Sequence, residues 1–330
     1  MTTSTGSGQA AAVLVLIETD AGGATEVSRE TLTFVRRLGL DVHALVVGDG
    51  PSGLVDQLGA YGVSVVHHAD GDGFTTYAAA AWAAAVVAAA GEAALLTAAG
   101  TPRGNEVLAH AACRLGATMA ANVVEVVSTT PLVVARQVLG GAALEEMRLD
   151  DSVAIFTVAG HACDPSEADT GTTPVVQPLP VEVPEADLRA RVVRTEPGEP
   201  DESGDLKSAR VVVGAGRGAG GPDGFTDLLE LTDLLDGALG VSRVVTSLGW
   251  RPHHEQVGQT GSRVSPDLYV ACGISGAIQH WAGMSSSKTI LSINSDPDAP
   301  MVTKAHYAVI GDLHEIVPAV NEEIKRRRSA

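Results

Sequence analysis

Short, continuous apolar runs alternate with longer amphipathic ones along the first third of the chain. Ala12 to Glu18 (AVLVLIE) opens the series and has the unbroken hydrophobicity of a central parallel strand. Val27 to Leu38 follows with helical spacing, then Asp41 to Val47 as a strand closed by Gly48-Asp49-Gly50. The pattern continues with a helix over 54–61, a strand at Ser64–Val66, an alanine-rich helix over 77–90, a strand at Ala93–Thr97 and a helix over 105–115. Such alternation predicts a doubly wound, Rossmann- or flavodoxin-like α/β domain.

The texture changes beyond residue 120. Val123–Val127, Leu132–Val138, Met147–Leu149 and Val153–Val158 read as short strands with little helix between them, an antiparallel extension of the first domain. Prolines gather between 164 and 209, and Glu196 to Asp205 is acidic and aperiodic. The expected division is an N-terminal α/β domain over 1–195, an acidic linker over 196–208 and a second doubly wound domain over 209–330. Residues 1–10 read as a frayed tail.

The second domain starts with the strand Ala209–Val213, the glycine run Gly214–Gly221 and a helix over Phe225–Leu239. Val244-Val245, Leu268–Ala271, Thr289–Ile293 and Tyr307–Ile310 are its further strands. A last helix begins near Asp312, which has capping-box spacing to Glu315. Leu313, Ile316, Val317, Val320 and Ile324 fall on one face of it, and its basic end, Lys325–Arg328, complements the helix dipole as a solvated terminus.

Composition narrows the function. The 330 residues carry a net charge of −18, which argues against a nucleic-acid partner and an anionic membrane surface. The alanine-rich run is about 14 residues, too short to span a bilayer. Three cysteines, Cys113, Cys163 and Cys272, supply no disulfide framework or CxxC pair, and no leader is evident, so a bacterial cytoplasm is the expected setting. His253-His254-Glu255 lacks the HExxH spacing of a zinc site, and no metal is expected.

Chemistry concentrates in two stretches, Val257-Gly258-Gln259-Thr260-Gly261 and Ala271 to His280. The second reads as strand, glycine turn and helix, with Ser275 placed to cap the helix and Gly276 letting backbone approach an anion such as phosphate. Asn294 closes a strand at its carboxyl end, where open α/β sheets bind ligands. Arg217 adds a cation inside the glycine run, and Ser242-Arg243 lies at the start of the next predicted strand. No Ser-His-Asp or Cys-His arrangement follows from spacing. Arginine, threonine, histidine and loop amides bind and tune a cofactor that carries the chemistry itself. Apart from any resemblance, the residues fit a nucleotide cofactor site, either in a nicotinamide-dependent oxidoreductase using the 214–221 loop or in a nucleotide-binding protein without redox activity.

VGQTG at 257–261, CGISGAIQHWAGM at 272–284, SKTILSINSDPDAPM at 287–301 and GDLHEIVP at 311–318 closely resemble the alpha subunit of electron transfer flavoproteins. The N-terminal half resembles it more loosely, through VLVLIE, AGTPRGNEVLAHAACRLGA at 99–117 and the Arg136/Gly140-Gly141 region. The resemblance implies a heterodimer with a beta subunit and one FAD held mostly by the C-terminal domain; AMP or a second FAD would belong to the beta subunit. Electrons would come from an acyl-CoA or other flavin dehydrogenase, as in fatty acid beta-oxidation, and pass to a membrane quinone reductase without insertion of this chain in the membrane. Some relatives bifurcate electrons from NADH. By the resemblance, Arg217 would meet the phosphates and Ser242 and Arg243 the isoalloxazine. Val257, Gly258, Gln259 and Thr260 would wrap the ring edge, with Thr260 at N5. Ser275, Gly276, Ala277, Ile278, Gln279 and His280 would bind pyrophosphate and ribityl, with His280 near O2. Asn294, Asp312 and Leu313 would contact the adenosine. Arg243, Thr260 and His280 would tune the flavin. Two places depart from the family pattern: Thr246-Ser247-Leu248-Gly249-Trp250 lacks the usual Asp-Ala-Gly, and Ala305-His306-Tyr307 replaces Ala-Asp followed by an aromatic.

Overall fold

The computed structural model describes residues 12–50, 52–91, 93–139, 143–160, 162–195, 206 and 208–328. The expected tail, the Gly140-Gly141 pair and most of the expected linker lie outside them. The chain divides into two compact units, one of residues 1–137 and 144–196, the other of 138–143 and 197–330.

The first unit runs β1 (Ala12–Leu16), a minor hairpin β2 (Thr19–Asp20) and β3 (Gly23–Ala24), α1 (Glu26–Arg36), β4 (Asp41–Val47) and α2 (Leu54–Ala60). It continues with β5 (Val63–Ala69), α3 (Ala79–Ala90), β6 (Leu95–Ala99), α4 (Pro102–Leu115), β7 (Met119–Thr129), β8 (Leu132–Val138), β9 (Ala143–Leu149), β10 (Ala154–Val158) and β11 (Val175–Pro178). Among the described residues, nine strands share one sheet in the order β11-β5-β4-β1-β6-β10-β7-β8-β9. The extension is antiparallel at β7 and β8, as expected. The run at 153–158 is a correction: β10 pairs parallel with both β6 and β7, so it belongs to the central parallel sheet. Its five residues are all buried, which a central position demands. A further strand, β11, lies parallel to β5 at the sheet edge. Proline tolerates that place because no ladder donor is needed on the open side.

Two apolar clusters cover the two faces of this sheet. Helix α3 has no polar face; Ala81, Ala83 and Ala85 are fully buried, and their small side chains let it pack close to its neighbours. Glu18, just past β1, is 8% exposed and accepts a hydrogen bond from the Thr101 hydroxyl. Burial raises its pKa, against the opposing pull of that bond, of Arg103 and of the Gly104 backbone. A carboxyl raised in the fold contributes its stability below the ordinary glutamate range and loses it as pH rises through the folded value. Glu18→Gln is therefore expected to raise the unfolding midpoint at neutral pH, with the gain vanishing in acid. A thermal unfolding series across pH checks this, and an unchanged midpoint at neutral pH counts against it.

The second unit holds β12 (Val211–Ala215), α5 (Thr226–Leu234), β13 (Ala238–Val241), α6 (Arg243–Ser247), β14 (Leu268–Cys272), α7 (Ile278–Trp281), β15 (Thr289–Asn294), α8 (Pro300–Lys304), β16 (Tyr307–Ile310) and α9 (Leu313–Arg328). Among the described residues its sheet has five parallel strands, in the order β13-β12-β14-β15-β16. Two doubly wound α/β units thus stand as the sequence predicts. Leu206, inside the stretch expected as linker, is 6% exposed and packs in this unit's core.

The sequence reading places the α5–β13 junction wrongly. The helix ends at Leu234, not Leu239, and the strand is Ala238–Val241, while Val244-Val245 lies in α6. Asp236 takes a φ of 50° and the Gly237 amide donates to the Thr232 carbonyl, a C-terminal stop that an apolar periodicity carried through to Leu239 conceals. On α9 the inner face also differs. Val320 is 37% exposed, whereas Asn321 is buried and donates to the Asp227 carbonyl and Glu230 Oε2. Lys325, Arg326 and Arg327 pair with Glu230, Glu322 and Glu323, consistent with a solvated basic helix end. Among the described residues, no helix is long and apolar enough to cross a membrane.

Candidate functional site

Every strand of the second unit points its carboxyl end the same way, and the loops that follow are tied to one another. Ser242 N donates to the Ala215 carbonyl, Gly216 N to Cys272, Gly273 N to Ile293 and Gly311 N to Asn294. These bonds extend the sheet's ladder past the strands and hold open a cavity of about 1,040 Å³. It lies outside the carboxyl ends of the strands, where open α/β sheets bind ligands.

Ten of the sixteen sequence-predicted site residues line this cavity: Arg217, Ser242, Arg243, Ser275, Ala277, Gln279, His280, Asn294, Asp312 and Leu313. Thr260 instead borders a smaller hollow of about 390 Å³ with Arg243, Thr246, Ser247, His253 and Gln256. The two spaces share Arg243 and Ser247 on their walls. Val257, Gly258, Gln259, Gly276 and Ile278 line neither. The first three instead position the loop: Val257 N donates to Val241 O, Gly258 N to Ser262 O and Gln259 N to Gln279 O. The loop is thereby fixed both to the edge of β13 and to the turn that carries His280.

Two local expectations are corrected. Ser275 is not a helix cap; α7 is a single turn whose N-cap position is Ala277, with no side-chain cap bond. Gly276 does not leave room for an anion. A Cβ there would lie 2.3 Å from the Met301 amide nitrogen, so the close approach it permits is to α8. The Met301 amide donates to the Ser275 carbonyl, which clips the turn in place. The 214–221 glycine run also packs on protein: Cβ atoms at Gly216 and Gly218 would strike Gly273 at 2.2 and 2.6 Å. Only Arg217 and Gly218 of that run line the cavity.

Two of the buried polar atoms without partners belong to residues of this wall. Ser242 Oγ and His280 Nδ1 have no hydrogen-bond partner among the described residues, although both residues line the cavity. Buried polar groups are normally satisfied, so an orphan beside a cavity marks a place for ligand atoms. His280 is 6% exposed, and its Nε2 lies 3.0 Å from the Tyr269 hydroxyl. Asn294 donates to the Ile274 carbonyl and accepts from the Asp296 amide, so it braces two lining turns. Thr260 Oγ1 accepts from Gln256 Nε2, whose amide oxygen accepts from Thr246; the Thr260 proton is left for a further acceptor. The buried Glu255 receives Arg251 in a two-pronged bond of 2.8 and 2.5 Å.

Ser247, Ser295, Asp296, Pro300 and His314, not assigned to the site from the sequence, also line the cavity. Ser295 and Asp296 follow directly on β15, and the strand-end rule used for Asn294 extends to them. Both departures from the family pattern acquire positions. Ser247 faces both spaces, whereas His306 accepts the Ile290 amide on Nδ1 and so fastens the start of β15 away from the cavity.

Burial lowers the His280 pKa to about 4, and the Val257 backbone pulls weakly the other way. The ring is neutral at pH 7, so the site gains no positive charge from it. The fold favours the neutral ring, so its contribution is whole above the ordinary value of 6.5 and is lost as pH falls through about 4. The loss across that window is on the order of 3 kcal/mol. Denaturant unfolding of the second unit is expected to show this decline, and His280→Gln to flatten it. An equally steep acid profile in the variant excludes His280 as its source.

The comparisons with known proteins fall on the same two units. Residues 13–184 match the family model described as the electron transfer flavoprotein domain, and residues 205–285 that of the electron transfer flavoprotein FAD-binding domain. The chain is 36% identical over 323 residues to the electron transfer flavoprotein subunit alpha of Mycobacterium leprae, covering 96% of this chain and 99% of the relative. It is 37% identical over 324 residues to that of Mycobacterium tuberculosis, covering 96% and 99%, and 35% identical over 320 residues to that of Syntrophomonas wolfei, covering 94% and 98%. With both family domains in order and alignments along nearly its whole length, the chain belongs to the electron transfer flavoproteins, as an alpha subunit.

Proposed function

We propose that the carboxyl-end cavity of the second unit is the FAD site, and that the chain works as the alpha half of a heterodimer with a beta subunit. The carrying observation is the pair of unsatisfied buried atoms, Ser242 Oγ and His280 Nδ1, on two residues that line a cavity large enough for a dinucleotide. Bound FAD supplies the capacity to accept and release electrons. The chain's residues bind and orient it. Arg217 and the amides of the 273–277 turn suit the phosphates, and Asn294, Asp312 and Leu313 the adenosine end. Ser242, Arg243 and His280 suit the ring, with Thr260 offering its hydroxyl proton from the adjoining hollow. Val257, Gly258 and Gln259 support that edge through the backbone bonds described above, and Gly276 and Ile278 support the turn. Electrons would pass from an acyl-CoA or other flavin dehydrogenase toward a membrane quinone reductase, in the bacterial cytoplasm.

The test is co-expression with the beta subunit, followed by visible absorption and FAD retention. The ring edge at Arg243 and Thr260 is exposed in this chain, so FAD is expected to dissociate far more readily without beta. Equal dissociation constants with and without beta remove the shared site. Arg243→Ala is expected to lower the potential for the first electron. For an exposed charge the effect is about 1 kcal/mol, or roughly 40 mV. Arg243→Lys loses less, because charge survives and planar stacking does not. An unchanged potential with FAD fully bound would show that Arg243 does not act on the ring.

A further inference from the structure

Behind His280 lies a residue that no lining or motif argument selects. Tyr269, on β14, is 0% exposed, and its hydroxyl meets His280 Nε2 at 3.0 Å. The phenol takes its room from the neighbouring strand: a Cβ at Gly214 would lie 2.3 Å from the hydroxyl oxygen. Among the described residues, Nε2 is the hydroxyl's hydrogen-bond partner. If Nε2 carried the ring proton, the buried O–H would have no acceptor, and an unsatisfied buried donor costs about 1–3 kcal/mol. If the phenol donates, its proton is satisfied and the ring proton sits on Nδ1. That nitrogen makes no hydrogen bond of good geometry among the described residues, although the Val257 backbone is near enough to act on the ring, and its residue lines the cavity.

We propose that Tyr269 is a positioning residue: its buried hydroxyl donates to Nε2 of His280 and fixes the Nδ1–H tautomer, making the ring a neutral hydrogen-bond donor to a carbonyl or anionic oxygen bound in the cavity. The inference rests on the proposed FAD site for the identity of that oxygen, but the tautomer belongs to the protein alone. The phenol sits one layer beneath the ligand and acts only through the imidazole. Its effect is on what the ring presents, since a lone pair on Nδ1 would repel the oxygen that an N–H holds.

The experiment has two arms. In the full chain labelled with ¹⁵N-histidine, long-range proton–nitrogen spectra read which ring nitrogen of His280 is protonated. Wild type is expected to show Nδ1–H and a bare Nε2; Tyr269→Phe, which keeps the ring and loses the hydroxyl, should move population to Nε2–H. A wild-type Nε2–H, or an unaltered tautomer in Tyr269→Phe, overturns the proposal. In the complex with beta, Tyr269→Phe is expected to weaken FAD binding by up to about tenfold. It should weaken it no further in a His280→Ala background. Equal losses in both backgrounds mean that Tyr269 acts by packing, which also overturns it. If wild type in complex with beta holds no FAD, the proposed function fails, and the tautomer arm still decides the role of Tyr269.

Discussion

Replacing Gly276 by valine is expected to destabilise the second unit by about 3 kcal/mol or more and to abolish stable retention of FAD. The residue sits at a φ of +84°, where a β-branched side chain is strained by about 1–3 kcal/mol. Its Cβ would also lie 2.3, 2.7 and 2.8 Å from backbone atoms of Met301 and Pro300, none of which is a flexible side-chain end. The turn or α8 must shift, and overpacking of this kind costs about 1–3 kcal/mol. The shift breaks the bond from Met301 N to Ser275 O and drags Met301, which is 0% exposed, out of the core. Ser275 and Ala277 flank the site of strain and line the cavity, so ligand retention fails with the turn. Two substitutions separate the causes. Gly249→Ala meets positive φ without any atom within 4 Å, and Gly221→Ala meets neither. Denaturant unfolding should rank the losses in the order Gly276→Val, Gly249→Ala, Gly221→Ala. Wild-type stability in Gly276→Val would mean that the turn yields freely.

The second large effect belongs to Arg251. Its guanidinium binds Glu255 through both prongs, the carboxylate side chain is 1% exposed, and the cation also lies 5.9 Å from the Phe225 ring centroid. Arg251→Ala leaves a buried carboxylate without its partner, a loss of about 3–5 kcal/mol. Replacing both residues by leucine removes charge and counter-charge together and should be far milder than the single change. Unfolding curves for the single and double variants decide this; a loss under about 1 kcal/mol in Arg251→Ala would rule out a strong buried pair. Glu255 precedes Gln256, which links Thr246 to Thr260, so the same variant should also loosen the hollow beside Arg243.

Residues 12–115 could be read almost element by element because each strand there is a short apolar run between turn residues, and each helix is long enough to show its period. The α5–β13 junction could not, because Leu231, Leu234, Leu235 and Leu239 continue a helical spacing across a stop that Asp236 makes with its backbone. Strand β11 hid among prolines, and β10 read as antiparallel because its neighbours in sequence are not its neighbours in the sheet. The cavity was legible from the strand-end rule at Asn294, which closes β15, whereas Asp312 was placed there by the family resemblance. The role of Gly276 was legible only as a need for glycine, since the atom it makes room for is 25 positions away in sequence, at Met301. Tyr269 lay beyond reach for a related reason. A tyrosine inside an apolar strand looks like core until the histidine against its hydroxyl is seen.

Strand β16 carries a consequence for the purified chain. It ends the five-strand sheet, and Tyr307, Val309 and Ile310 are 66%, 40% and 50% exposed. Within Tyr307–Ile310 there is neither a charge nor a proline, the usual guards of an open edge. An open, apolar edge is a template for pairing with another chain, so colloidal stability rather than folding sets the ceiling on concentration. Protein made alone at high concentration should self-associate through this edge, and a lysine at Val309 should raise its solubility while leaving the unfolding midpoint nearly unchanged.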